Sequence, residues 1–478
     1  MDAVQLSRLI AGLLRTGIVR RVRAGLGGSH TTVTYPPLDA LSPTNGVEPF
    51  TIGGNAPVHL YVHIAFCEFV CSFCHYHRSH SGEHRQAPAL RPYLDAVASE
   101  IASRRASLAG QPIASIYLGG GTPTAMAHED LVRLVETLST LQNLQTTKFC
   151  VETSPLTASG DGGRKKLRTL VASGMDRVSI GVQSFEDELL RTHRGHNLAT
   201  LREALDEVFS LGIRTNVDLM QDLPLQTMDS IDNDLREIER YQPDQVTWYI
   251  LRLHEGSAMN KIYAPRPEDP EDTLSSVPSS LESAERRAHI ITCMTSLGYR
   301  RRPGGRFMRN SASEDTYKRV RGGSRANMLG FGSSSYSHGW GYFFRNITDT
   351  KVMPSTNDYI RRMRQGGSAV GWAKQLTDIE RRASRVCELS REVLPFDALA
   401  GDDASASGWR RAASICLDTG IFEKSASGYR LTELGALFEE EIASLFYSQE
   451  VRSELRRKKL YWADEAWFNA SEPVVQPA

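Results

Sequence analysis

Charge of one sign is what this chain lacks first. Its 56 lysines and arginines are balanced by 56 aspartates and glutamates, so no net charge remains to attract a nucleic-acid backbone. It also has no apolar run of membrane-spanning length. Cysteine is sparse: the chain has seven in 478 residues. Four of them, Cys150, Cys293, Cys387 and Cys416, stand alone, which is no framework for a secreted, disulfide-built domain. These absences point to a protein of the reducing cytoplasm with neither a membrane nor a nucleic acid as partner. With 40% hydrophobic and 23% charged residues, the length suffices for one large domain and one or two small ones.

The N-terminus qualifies the membrane statement. "VQLSRLIAGLLRTGIVRRV" sets Leu6, Leu9, Ile10, Leu13 and Leu14 on one helical stripe, with Arg8, Arg15, Arg20 and Arg21 around it. An Arg-rich, nearly acid-free helix suits an anionic membrane or a transit peptide. Docking on the protein's own surface serves the stripe equally, and that is the expectation.

The three remaining cysteines are clustered. Cys67, Cys71 and Cys74 form Cys-x3-Cys-x2-Cys inside "LYVHIAFCEFVCSFCHYH". Iron–sulfur clusters are held by cysteine thiolates, and a four-iron cubane with three protein thiolates keeps one iron free for an outside ligand. "VHLYVHIAF", residues 58–66, alternates and is rich in β-branched and aromatic residues. It predicts a strand that delivers the cysteines at its C-terminal end, where α/β sheets carry their ligand sites. A disulfide pair and a structural zinc knuckle using His75, His77 or His80 are the competing readings. Zinc normally joins two ligand pairs across a longer spacer, and no second pair is present here.

From residue 57 to about 300, short apolar strands alternate with amphipathic helices. Strands are predicted at 58–66, 114–118, 148–153, 176–181, 213–219 and 245–251. The helix over 130–141 places Leu131, Leu134, Val135, Leu138 and Leu141 on one face. Such alternation implies parallel strands joined by right-handed crossovers, hence an α/β fold: a partial (β/α)6 barrel, open on one side. Around it the sequence predicts an N-terminal helix and extended arm over 1–55, the barrel over 56–300, a basic loop and barrel extension over 301–354, and a helical, winged-helix-like domain over 355–478. Glu439, Glu440 and Glu441 set an acidic run within that last part, which suits a substrate-covering or structural role better than DNA binding.

Polar residues recur where the strands finish. Gly119, Gly120 and Gly121 precede Thr122 after the second strand, freeing the backbone to approach a ligand. Glu152 comes after the third, Gln183 after the fourth and Asp218 after the fifth. In a barrel these positions converge on one mouth.

The motifs "YVHIAFCEFVCSFC", "GGGTPT", "VETSP", "RVSIGVQSF", "VDLMQDLP" and "MLGFGSSSYS" stand in an order that resembles the radical S-adenosylmethionine (SAM) enzymes, in the branch typified by oxygen-independent coproporphyrinogen III oxidase. The resemblance runs from about Thr34 to the C-terminus. It implies a 4Fe-4S cluster on Cys67, Cys71 and Cys74, with His63 beside it. It further implies a first SAM held by Tyr61, Phe73, Gly120, Glu152, Gln183, Arg194 and Asp218, and a second touching Gly121, Thr122, Met220, Arg252 and Tyr336. In the porphyrinogen oxidases a fourth cysteine stands two residues after the third; here that place is Tyr76. The segment from Arg300 to Arg325 is also unusually basic, suited to substrate carboxylates, a leader peptide or simply solvent.

These departures turn the expectation toward the class C radical SAM methyltransferases. Such an enzyme passes a SAM-derived methyl or methylene group to an sp2 carbon of a small-molecule or peptide substrate, with flavodoxin or ferredoxin as electron donor. His75, Tyr76 and His77 are the candidates for its catalytic base. An oxidative decarboxylase of a porphyrinogen and a heme-binding chaperone are the alternatives.

Overall fold

Residues 3–19, 35–44, 51–74, 79–80, 89–253, 257–263, 277–309, 326–347, 356–458 and 461 are described by the structure, a computed structural model. The six predicted strands form: β1 (Val58–Ile64), β2 (Ile113–Gly120), β3 (Lys148–Thr153), β4 (Arg177–Gln183), β5 (Arg214–Gln221) and β6 (Gln245–Ile250). Each pairs in parallel with the next. Every residue of β1 except Tyr61 is buried, as a parallel strand covered on both faces requires.

Later strands extend this sheet on both sides. They are β7 (Arg300–Arg302), β8 (Arg306–Met308), β9 (Asn327–Phe331), β10 (Tyr336–Gly339), β11 (Tyr342–Asn346) and β12 (Val370–Gln375). The hairpin β7–β8 pairs antiparallel with β6. β9 pairs in parallel with β1, from Asn327↔Val58 to Phe331↔Val62, so the parallel part holds seven strands rather than six. β9 covers the edge of β1, which would otherwise expose a row of unpaired backbone groups. β10, β11, β12 and the short strand Ser42–Pro43 continue the sheet antiparallel, and it ends on open edges without closing.

The basic segment therefore resolves in two parts. Residues 300–309 make the edge hairpin, turning at Gly304 and Gly305, whose φ values of 78° and 70° favour glycine. Lys318, Arg319, Arg321 and Arg325 lie outside the described residues.

A buried polar seam locks β9 to β1 just below the cysteines. Tyr93, on the helix Leu90–Leu108, donates to the His63 carbonyl at 2.6 Å and accepts from Ser333 N at 3.1 Å. Glu100 of the same helix accepts from Gly332 N (2.8 Å), Asn346 Nδ2 (2.8 Å) and Tyr359 Oη (2.6 Å). Burial raises the Glu100 carboxyl above its ordinary range, against the pull of these donors.

Among the described residues two large hydrophobic cores result, beside two small clusters. One fills the space between the sheet and its helices. The other joins Ile10 and Leu13 of the helix Ala3–Arg15, with Ile18 and Val19, to the C-terminal part. The N-terminal stripe thus packs on the protein itself, with Ile10 and Leu13 buried, Leu6 and Leu14 half-buried, and Leu9 49% exposed. The C-terminal part begins after β12 with the helix Asp378–Leu389. It adds the helix Ala404–Asp418 and a small sheet ordered Val393–Pro395, Gly428–Leu431, Phe422–Lys424, the helical, winged form expected. Among the described residues no helix is long and apolar enough to cross a membrane.

Candidate active site

β1 ends at Ile64, and the glycine run after β2 is stitched to the segment that leads from there into the cysteines. Gly121 N donates to the Ile64 carbonyl and Thr122 N to the Phe66 carbonyl, each at 2.7 Å. No side chain fits at Gly121: a Cβ there would lie 2.4 Å from the Phe66 carbonyl oxygen and 2.9 Å from Cys67 Sγ. Past Cys67 the chain turns tightly, with Cys74 N donating to the Cys71 carbonyl at 3.1 Å. Arg194, at the end of the helix Asp187–Arg194, donates to Cys71 Sγ at 2.7 Å.

All seven cysteines are free thiols, which removes the disulfide reading. Among the described residues no three His, Cys, Asp or Glu side chains converge on a point that would hold a single metal ion. Burial, and then Cys74, Glu68 and Cys71, push the Cys67 thiol up. Sulfur donors crowded in an apolar site become thiolates when a metal supplies positive charge, so the donor set fits an iron–sulfur cluster.

Above the cysteines lies a cavity of about 840 Å³, near the upper end of the ~300–1,000 Å³ usual for small-molecule sites. Every described residue that the sequence offered as a cofactor contact lines it. Glu152 accepts from Tyr117 Oη at 2.6 Å and from Gly120 N at 3.1 Å. Tyr61 Oη and His63 Nδ1 are 3.1 Å apart, and a Cβ on Gly120 would lie 2.5 Å from that nitrogen. Asp218 accepts from Asn216 Nδ2 at 2.8 Å and from Ser179 Oγ at 3.1 Å. Gln183 sits at a bulge in β4 with φ 76°, and its buried Oε1 has no partner. Phe73 and Met220 pack on a small apolar cluster around Leu251 and Met259. Tyr336 stacks on Phe343, ring centres 5.9 Å apart.

Arg252 is placed differently from a plain ligand contact, because it forms an ion pair with Glu440. The acidic run as a whole faces this cavity. Glu439 pairs with Arg301 and accepts from Gly304 N at 2.6 Å, and the surrounding arginines hold its carboxyl low against the effect of burial. The C-terminal part thereby lines the cavity and is joined to the β7–β8 hairpin. His75, Tyr76 and His77 lie outside the described residues.

Two cavity residues had no sequence signal. His196 is buried, its Nε2 without a partner, and burial and then Arg194 push it down to about 4. Gly195 before it packs on Phe69 of the cysteine loop, where a Cβ would lie 2.5 Å from the ring. Arg345, on β11, lies directly across from Tyr336. Nothing in spacing or composition marks either residue.

Residues 61–238 match the model of the radical SAM superfamily. The heme chaperone HemW of Haemophilus influenzae is 27% identical over 215 residues, covering 44% of this chain and 54% of that protein. The chain thus spans about half the length of the curated heme chaperones it matches. The oxygen-independent coproporphyrinogen III oxidase of Escherichia coli is 26% identical over 413 residues, 82% of this chain and 85% of the other. That of Paracoccus denitrificans is 26% identical over 436 residues, 86% and 92%. The solved coproporphyrinogen III oxidase of E. coli superposes with a TM-score of 0.72 at 22% identity, over 89% of this chain and 99% of that one, which shows a shared fold.

Proposed function

Starting from a radical SAM protein of the coproporphyrinogen oxidase and heme chaperone branch, we propose that this chain transfers a SAM-derived methyl or methylene group to an sp2 carbon of a small-molecule or peptide substrate, using two SAM molecules. The observation that carries the reading is the joint between the three free thiols and the glycine run, at the floor of a cavity roomy enough for more than one ligand.

Cys67, Cys71 and Cys74 would hold the 4Fe-4S cluster, which when bound supplies one-electron reduction of a sulfonium. The remaining work belongs to the chain. Gly120 exposes backbone beside the carboxylate of Glu152, and Gln183 and Asp218 offer acceptors to ligand hydroxyl or amino groups. Arg252–Glu440 and Arg301–Glu439 are proposed to restrict the mouth of the cavity and so limit water, which a radical reaction requires. Positioning at near contact is the main contribution. Tyr76, with His75 and His77, is proposed to take up the proton released at the sp2 carbon, and flavodoxin or ferredoxin to supply electrons.

Oxidative decarboxylation is the second reading, favoured by a relative of that activity that matches over 85% of its own length. One anaerobic assay separates the two. Group transfer yields S-adenosylhomocysteine together with 5'-deoxyadenosine and methionine. Decarboxylation yields carbon dioxide and no S-adenosylhomocysteine. Reconstituted protein that holds iron and sulfide yet never consumes SAM would defeat both.

A further inference from the structure

Two cations of the cavity wall have an acid at hand: Arg252 has Glu440, and Arg302 has Glu392 at 3.4 Å. Arg345 lines the same cavity and is in no ion pair with a carboxylate among the described residues. Asp39 acts on it only from longer range, and burial pushes the guanidinium down. Its Nη2 donates to Ser334 Oγ at 2.6 Å, while its Nε is buried with no partner. The guanidinium carbon stands 5.9 Å from the centre of the Trp372 ring.

The mounting of this arginine is itself unfavourable. Ser334, which anchors it, has φ 66°, the left-handed region that a non-glycine residue rarely adopts. A half-buried cation without a carboxylate partner and a strained anchor meet at one point of a cavity wall, and strain of this kind concentrates where a ligand offsets it. The Nε–H is left without an acceptor, and the N–H bonds of a guanidinium match the oxygens of a carboxylate.

We propose that Arg345, anchored by Ser334, is the subsite for a carboxylate on the molecule that receives the transferred group. The inference rests on the radical SAM reading of the cavity. SAM also carries a carboxylate; Arg194, beside Cys71, is assigned to that of the first SAM, and the SAM stoichiometry separates a second SAM from the acceptor. In the sheet order β11 lies three strands to one side of β1, and β4, which precedes Arg194, three strands to the other. The two arginines thus approach from opposite sides of the cysteine strand, and Arg345 is assigned to the acceptor molecule.

The test uses the full chain, reconstituted anaerobically, as wild type, Arg345→Gln and Arg345→Lys. The probes are SAM and two aromatic carboxylates of different size, coproporphyrin III and indole-2-carboxylate, each against its methyl ester. Wild type is expected to bind at least one acid about tenfold or more tightly than its ester, the scale of one charge-assisted contact. Arg345→Gln should erase that preference and Arg345→Lys restore part of it, with SAM affinity, SAM stoichiometry, iron content and melting temperature unchanged. Equal binding of acid and ester by wild type, including none of either, overturns the proposal, as does a preference that survives in Arg345→Gln. Loss of SAM from Arg345→Gln assigns the carboxylate to the cofactor and also overturns it. Wild type that never binds SAM is a separate failure, that of the radical SAM reading itself.

Discussion

Arg194 reaches two places at once: Nη1 donates to Cys71 Sγ and Nη2 to the Gly181 carbonyl, each at 2.7 Å. One guanidinium therefore ties the sulfur proposed as a cluster ligand to the end of β4, just before the bulge that presents Gln183. A donor aimed at a ligand sulfur stabilises the more negative, reduced state of a cluster and so raises its potential. Arg194→Gln is expected to move the midpoint potential to more negative values, with Arg194→Lys in between, as read by a redox titration monitored by electron paramagnetic resonance. An unchanged potential would mean that the contact does not reach the loaded sulfur.

Gly121→Ala should stop cluster loading. The added methyl would collide with the Phe66 carbonyl oxygen at 2.4 Å and the Ile64 carbonyl oxygen at 2.8 Å, both fixed backbone, and crowd Cys67 Sγ at 2.9 Å. Overpacking of this sort costs about 1–3 kcal/mol, and here it also displaces a ligand. Iron and sulfide per chain should fall well below wild type. Gly53→Ala is the control, since nothing lies within 4 Å of a Cβ there. Equal iron content in the two variants would count against the joint between the thiols and the glycine run.

The parts legible in the sequence are those whose signal is local. Residues 58–64 announce a strand by alternation, the cysteines and glycines by type and spacing, and Glu152 and Asp218 by position at strand ends. The illegible parts depend on pairing across long stretches of chain. β9 joins β1 from some 270 residues away, and its short apolar run carries no mark of its partner. Glu439 reads as an acidic residue in a winged element until the fold brings it to Arg301, 138 residues distant. Arg345 is one arginine among many until the strain at Ser334 and the missing acid single it out. Resemblance supplied Arg252 as a ligand contact, but the ion pair with Glu440 is a tertiary fact that no motif encodes.

That ion pair yields a third expectation. The side chains of Arg252 and Glu440 are only 14% and 24% exposed, and they connect the segment after β6 to the helix Glu439–Ser444. A partly buried pair couples more strongly than a surface one, and removing one partner strands the other. A double-mutant cycle of Arg252→Met and Glu440→Gln in denaturant should show a coupling of about 1–2 kcal/mol. If the pair closes the cavity, either single variant should also release more 5'-deoxyadenosine per product formed. Additive stabilities with unchanged product ratios would argue that the C-terminal part merely rests on the barrel.

Asp234 gives the pH dependence. It is fully buried on the helix Met228–Tyr241, accepting from Phe185 N at 2.6 Å and Ser184 Oγ at 3.0 Å, and so holds the loop directly after Gln183. Burial first, then Glu186 and Glu237, push its carboxyl up to about 8, against the pull of those two donors. In the unfolded chain an aspartate titrates near ~3.9. Between these values the folded state binds the proton more tightly than the unfolded one, so this group's contribution to stability falls as pH rises from about 4 to about 8. Asp234→Asn keeps an acceptor for Phe185 N and removes the titration. The melting temperature of wild type should therefore decline more steeply than that of Asp234→Asn between pH 5 and pH 8. SAM affinity should take the same course, because Gln183 depends on the loop that Asp234 secures. Parallel melting curves for the two proteins across that range would show the carboxyl ionised throughout, its two donors outweighing burial.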